Sequence, residues 1–241
     1  ASGQVDVIGD VVGYYDDGEG PGDLFTPIDP VRLLDSRTAT GGWNGKLVAG
    51  AQRDLAVRSP QNPAGVPATT TAVVANVTVT GGTQGSFLSV WPSGVTKPNA
   101  SNLNFGTGQT ISNLAVVQIG ANGALRFDNA LGAVDVIVDV VGSFDPTVGS
   151  RFHALNPNRF LDSRTGTGTY GPWAAGELRT IYLSNGRPGT NSIPATATGL
   201  VFNLTATNGS APSYITAFPG NTARPATSNL NFGPGQTIPN L

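Results

Sequence analysis

The sequence predicts an all-β fold: tandem antiparallel β-sandwich domains, jelly-roll-like, with a period of about 128 residues. Three observations carry this. No stretch places apolar residues at helical spacing over a dozen positions, whereas β-branched, alternating runs are frequent. Glycine-rich turn clusters separate those runs at roughly 8–15-residue intervals. Whole blocks of sequence also recur about 127 residues apart.

The strands follow in order. Residues 5–15 open the chain with a Val-Asp-Val-Ile pattern. Arg53 to Arg58 alternates polar with apolar residues, and Thr71 to Thr80 is rich in Val and Thr. Ser86 to Trp91 ends at Pro92, whose ring interrupts a ladder. Ala115 to Ile119 and Leu125 to Phe127 flank Asn122-Gly123, a strong short-range hairpin signal. Val134 to Phe144 places Val134, Val136, Val138 and Val140 on one face, with Asp135 and Asp139 on the other.

The recurrences define the organisation. Arg32-Leu33-Leu34-Asp35-Ser36-Arg37 returns as Arg159-Phe160-Leu161-Asp162-Ser163-Arg164. Ser101-Asn102-Leu103-Asn104-Phe105-Gly106 returns as Ser228-Asn229-Leu230-Asn231-Phe232-Gly233. The opening strand, residues 5–15, matches residues 134–144. The period is too long for a solenoid rung or propeller blade and has the size of a domain. The expected division is residues 1–16 as the final strand of a preceding or partner unit, 17–24 as a linker and 25–146 as a complete sandwich. A second linker, 147–150, leads to 151–241, a second sandwich lacking its final strands. The hairpin at 115–129 has no counterpart at either end.

Composition narrows the function classes. Only 12% of the 241 residues are charged, with 13 Lys+Arg against 15 Asp+Glu. That balance offers no basic face for nucleic acid. Cysteine is absent, which excludes a disulfide framework, a thiolate metal site and a cysteine nucleophile. No apolar run reaches the length of a membrane span. A single histidine, His153, and two glutamates, Glu19 and Glu177, leave no Ser-His-Asp or paired-Glu set. The expectation is a non-enzyme with no obligatory cofactor.

The motifs Arg32–Arg37, Pro67-Ala68-Thr69 with Asn76-Val77-Thr78, Trp91-Pro92, Ser101 to Thr110 and Val134 to Phe144, in this order, resemble a repeat of secreted and cell-surface bacterial proteins of the actinobacterial type. The resemblance covers nearly the whole chain. It implies an extracellular, secreted or surface location, in long chains that sometimes carry hydrolase or anchoring modules. It brings no catalytic residue and no ligand. The chain departs from the pattern in phase, beginning and ending inside units.

Several residues are candidates for a site, each with a structural alternative. Asp35 with Arg37, and Asp162 with Arg164, form either a structural pair pinning the first strand or a fork for sugar hydroxyls. Asn102 and Asn104 share one face and either bond to a neighbouring loop or contact a glycan. Trp43 and Tyr170 lie in glycine-rich loops and are the candidate sugar-stacking aromatics, whereas Trp91, replaced by Phe218 in the second unit, reads as core. Asp16, Asp17, Glu19 and Asp23 make either a solvated linker or a weak Ca²⁺ loop without EF-hand spacing.

The function expected is a structural repeat protein of a surface fibre, stalk or filament; the alternative is a carbohydrate-binding adhesion module. Partners are a second copy head-to-tail, a continuing array, or glycans. An open sandwich exposes unpaired backbone, and residues 5–15 have the pattern of the strand it lacks. Entry of that strand between chains, with Val5, Val7, Val11 and Val12 as plugs, is the expected mode of assembly.

Overall fold

The computed structural model describes residues 6–16, 23–59, 64, 66–98, 101–183, 193–194 and 196–241, with 6–16 and 152–158 described by backbone alone. All regular structure among them is β, in antiparallel sheets without a helix. The chain divides into two compact units, Thr26–Val148 with Ala223–Thr227, and Ala1–Phe25 with Gly149–Thr222 and Ser228–Leu241.

The first unit contains β2 (Leu24–Asp35), β3 (Leu47–Val48), β4 (Gln52–Ala56), β5 (Ala72–Thr80), β6 (Ser86–Pro92), β7 (Leu103–Phe105), β8 (Ile111–Gln118), β9 (Ala124–Asn129) and β10 (Ala133–Asp145). One sheet runs β2-β10-β5-β8, with β3 against β10; the other runs β4-β9-β6-β7. A single core takes side chains from both sheets: Leu33 and Leu34 from β2, Val77 and Val79 from β5, Val136 and Val138 from β10, Leu55 from β4, Leu88 from β6 and Phe127 from β9. Such sharing of one core by two antiparallel sheets is consistent with a β-sandwich. Position in the sheet explains the sequence of each strand. β8 is an edge strand and keeps a solvated face, with Val116 exposed. β5 is flanked on both sides and is buried almost throughout.

β10 departs from the expected pattern of one apolar and one polar face. It is central, and both faces are covered: Val136 and Val138 on one, Ile137 and Asp139 on the other, with Asp139 only 1% exposed. The polar face is therefore a buried polar face, which demands partners.

The second unit contains β1 (Asp6–Asp16), β11 (Arg151–Asp162), β12 (Gly199–Thr207), β13 (Ser213–Ile215), β14 (Leu230–Phe232) and β15 (Ile238–Asn240). Its main sheet runs β11-β1-β12-β15, and β13 pairs with β14. Among the described residues its core is built on Phe160, Leu161, Leu204, Ala206, Ile215, Leu230 and Phe232.

The opening strand lies inside the second unit of its own chain. Residues 6–16, expected as the final strand of a preceding or partner unit, pair here with β11 and β12 of the same chain. β1 stands between β11 and β12, as β10 stands between β2 and β5. Asp6 is opposite Thr207 and Asp10 opposite Asn203; in the first unit Asp135 is opposite Thr80 and Asp139 opposite Asn76. The register shift falls at Val11/Gly13 in one unit and at Val140/Gly142 in the other. The physical reason is the unpaired backbone along β12, which a matching strand covalently attached to the same chain can satisfy.

The second sheet of this unit is less regular. β4 pairs only with β9 in the first unit, and among the described residues no strand holds the position of β9 in the second. Arg179 to Leu183, the sequence counterpart of β4, accordingly carries no strand.

Candidate functional site

A dense polar centre lies where β2 leaves the first sheet. Leu33 and Leu34 are buried core residues, so the chain arrives at Asp35 with its carboxylate already under cover. Arg37 closes a fork on it, Nε to Oδ1 at 2.9 Å and Nη2 to Oδ2 at 2.7 Å, and the Arg37 backbone N–H donates to Oδ1 at 3.1 Å. β2 ends at Asp35, so Arg37 lies in the following turn; the pair caps a turn instead of lying along a strand face. Arg37 lowers the Asp35 carboxyl below the ordinary carboxylate range, against the opposing effect of burial.

Arg32 belongs to the same centre. Its Nε and Nη2 donate to Asp139 on β10 at 2.9 and 3.1 Å, and Nη1 reaches Asp35 at 3.5 Å. Burial raises the Asp139 carboxyl, and the Arg32 fork works against that rise. Ser36 ties the same turn to β10: its Oγ donates to Asp135 at 2.9 Å and accepts from the Val136 N–H at 3.0 Å, while its own N–H donates to the Val136 carbonyl at 3.0 Å. Lys46 Nζ adds a 2.6 Å contact to Asp135. The roles of Arg32, Ser36, Asp135 and Asp139 are absent from the sequence reading. Their signal was there: Arg and Ser recur in both Arg–Asp motifs, and two Asp four residues apart recur in both matching strands.

The second unit repeats the turn closely. Arg164 forks Asp162 at 2.9 and 2.8 Å, its N–H donates to Oδ1 at 3.1 Å, and Arg159 reaches Asp162 at 3.4 Å. Arg164 lowers the Asp162 carboxyl in the same way. Every acceptor of Asp35 and Asp162 faces a donor of its own chain, which is the geometry of a structural clamp.

Asn102 and Asn104 are each bonded within their own chain. Asn102 Oδ1 accepts from the Val90 N–H at 2.7 Å, and its carbonyl accepts from Asn113 Nδ2 at 2.7 Å. Asn104 is exposed and bonds locally to Ser101. The same pattern returns at Asn229, which accepts from the Ala217 N–H at 2.8 Å, and at Asn231 with Ser228. Gln109 and Gln236 each close the following turn onto the N–H of Gly106 and Gly233, at 2.8 and 2.7 Å.

The candidate aromatics separate. Trp43, expected in an exposed loop, is core: it is 5% exposed, stacks edge-on to Phe127 at 5.3 Å and donates Nε1 to the Asp54 carbonyl at 2.9 Å. An indole with a carbonyl within reach is buried at little cost. Trp91 is likewise core, donating to the Val95 carbonyl. Tyr170, at 77% exposed, is on the surface. Of the acidic run, Asp17 and Glu19 lie outside the described residues, Asp16 is described by backbone alone, and Asp23 is exposed. Val5 also lies outside them, while Val7, Val11 and Val12 are within β1.

Two further carboxylates hold loops. Arg126 and Ser93 converge on Asp54, and Arg126 is the main cause of its lowered carboxyl. Asp145, at the end of β10, takes the Thr69 hydroxyl and the N–H groups of Thr147 and Val148; the Thr69 bond first, then those of Thr147, bring it to about 2. Among the described residues no group of three or more metal-ligating side chains assembles, and no helix is long and apolar enough to cross a membrane. Comparison with protein-family models, curated proteins and solved structures finds no match.

Proposed function

We propose that the protein is a non-enzymatic, extracellular structural repeat protein of tandem jelly-roll-like β-sandwiches, building a surface fibre, stalk or filament by strand complementation. The strand orders β2-β10-β5-β8 and β4-β9-β6-β7 support the jelly-roll reading, in which two four-stranded sheets interleave early and late strands. One observation carries the assembly reading: β1 fills the place between β11 and β12 that β10 fills between β2 and β5. A closing strand remote in sequence from the unit it closes is separable from it. The same pairing made between chains is heterologous, and it propagates when it does not close on itself. Low charge and the motif resemblance support an extracellular location.

The test is deletion of residues 1–16. The truncated protein loses the fold of its second unit and stays monomeric in sedimentation, and added peptide 1–16 restores protection from proteolysis. Unchanged folding and assembly after deletion overturn the reading. A second reading, a carbohydrate-binding module, draws on exposed Tyr170 in its glycine-rich loop. Saturable binding on a glycan array that is lost in Tyr170→Ala would select it.

A further inference from the structure

We propose that the cleft between β11 and β12 selects its strand and sets its register through Arg159 and Ser163, which read two acidic residues placed four apart, Asp10 and Asp6. The inference rests on the strand-closure part of the proposed function and adds what the cleft recognises.

Apolar alternation cannot set this register by itself. A slip of one residue turns every side chain to the wrong face, and the core forbids it. A slip of two residues keeps the alternation, and Val-rich strands tolerate it. Something polar must distinguish the native register from its neighbours two residues away.

The first unit contains such a device. The Arg32 guanidinium is bidentate on Asp139, and Ser36 binds both the Asp135 carboxylate and the Val136 backbone. Displacing β10 by two residues would put Ile137 or Val141 where Asp139 stands. Arg32 would lose its fork, and Asp139 would become a buried carboxylate without a counter-charge. Breaking a buried pair in this way is strongly unfavourable. An Arg fork is also stricter than a point charge, since it demands both oxygens of one carboxylate.

The second unit retains the receiving half. Arg159, Asp162, Ser163 and Arg164 stand at the positions of Arg32, Asp35, Ser36 and Arg37, and the Asp162–Arg164 fork matches the Asp35–Arg37 fork to within 0.1 Å at each bond. The backbone register of β1 places Asp10 opposite Arg159 and Ile8 opposite Asp162. On its other side Asp10 is opposite Asn203 and Asp6 opposite Thr207, the positions held by Asp139 and Asp135 in the first unit. The occupant the cleft is built for is thus a strand with the pattern Val-Asp-Val-Ile-x-Asp-Val-Val-Gly, which its own chain supplies.

Cysteine trapping in the full chain tests this, because the protein has no cysteine of its own. Ile8→Cys with Thr205→Cys reports the native register, in which the two positions are paired. Ile8→Cys with Thr207→Cys reports a strand displaced by two. On mild oxidation the native pair cross-links and the displaced pair does not. Arg159→Met lowers the native cross-link at least fivefold, and the reversal Asp10→Arg with Arg159→Asp restores it to within twofold. If Arg159→Met leaves the native yield unchanged, or the reversal fails to restore it, the inference falls. Because the trap reads one chain, it can fail while deletion of residues 1–16 still unfolds the second unit. It can equally succeed in a protein that never assembles.

Discussion

Asp35 and Asp162 illustrate how much a single carboxylate can organise. Each is almost fully buried and accepts a guanidinium fork and a backbone N–H from the turn it caps. Asp35→Ala leaves those donors without their acceptor and should cost about 1–3 kcal/mol. Calorimetry should register the loss in the first unit, and Asp162→Ala should register the same loss in the second. Trp43 and Tyr170 occupy equivalent positions with opposite surroundings. Trp43→Ala removes a packed indole and should cost about 3–5 kcal/mol, whereas Tyr170→Ala should change stability by less than about 0.5 kcal/mol. Acid sensitivity has a definite sign. Asp145 is held near 2 in the folded protein, below its unfolded value of about 3.9. Its stabilisation is present above pH about 4 and is lost as pH falls towards 2. Asp35, Asp54 and Asp162, also lowered, act in the same direction, while Asp139, raised by burial, acts in the opposite one. Asp145→Asn should flatten the fall in melting temperature between pH about 4 and 2.

Strands and turns differ in how far their residues specify them. The turn after each Arg–Asp motif is locally encoded. Gly41 has φ +76° and lies where a Cβ would come within 2.4 Å of the Leu33 carbonyl; Gly168 has φ +73° and would meet the Phe160 carbonyl at 2.5 Å. Neither position accepts a side chain without moving backbone. Gly41→Ala and Gly168→Ala should each destabilise their own unit by about 1–3 kcal/mol, measured as loss of amide protection in that turn. Strand pairing is different. β1 and β10 have nearly the same pattern, and both read as half-polar strands. Their central position follows from which neighbours they find, and β10 is covered on both faces. The Asp-bearing face of β10 could not be seen as buried from alternation, because its partners Arg32 and Ser36 lie about 100 residues away in sequence.

At the scale of the whole molecule, one sequence pattern supplies closing strands to two units by different routes. β10 reaches its unit as the last of a consecutive run of strands, and β1 reaches the other from the opposite end of the chain. Intrachain closure competes with exchange between chains through effective concentration, which is of millimolar order for short flexible connections and lower for the long one, through the whole first unit, that joins β1 to β11. Refolding from denaturant at micromolar protein should therefore give monomers. Refolding at concentrations approaching millimolar should give exchanged oligomers, which light scattering after size separation would detect.

The all-β class, the positions of β1, β4, β5, β6, β9 and β10, the recurring motifs and the clamp residues Asp35, Arg37, Asp162 and Arg164 were legible in the sequence. These depend on local periodicity, turn chemistry and residues close together in the chain. The burial of Trp43, the Asp139–Arg32 fork and the placement of β1 in its own chain's second unit were decided only by tertiary structure. Each depends on a partner far away in sequence: Phe127 beside Trp43, β2 beside β10, and β11 and β12 around β1. A strand's own residues state what kind of neighbours it requires. Which segment supplies them is settled by the unpaired backbone and buried charges that the rest of the fold leaves to be satisfied.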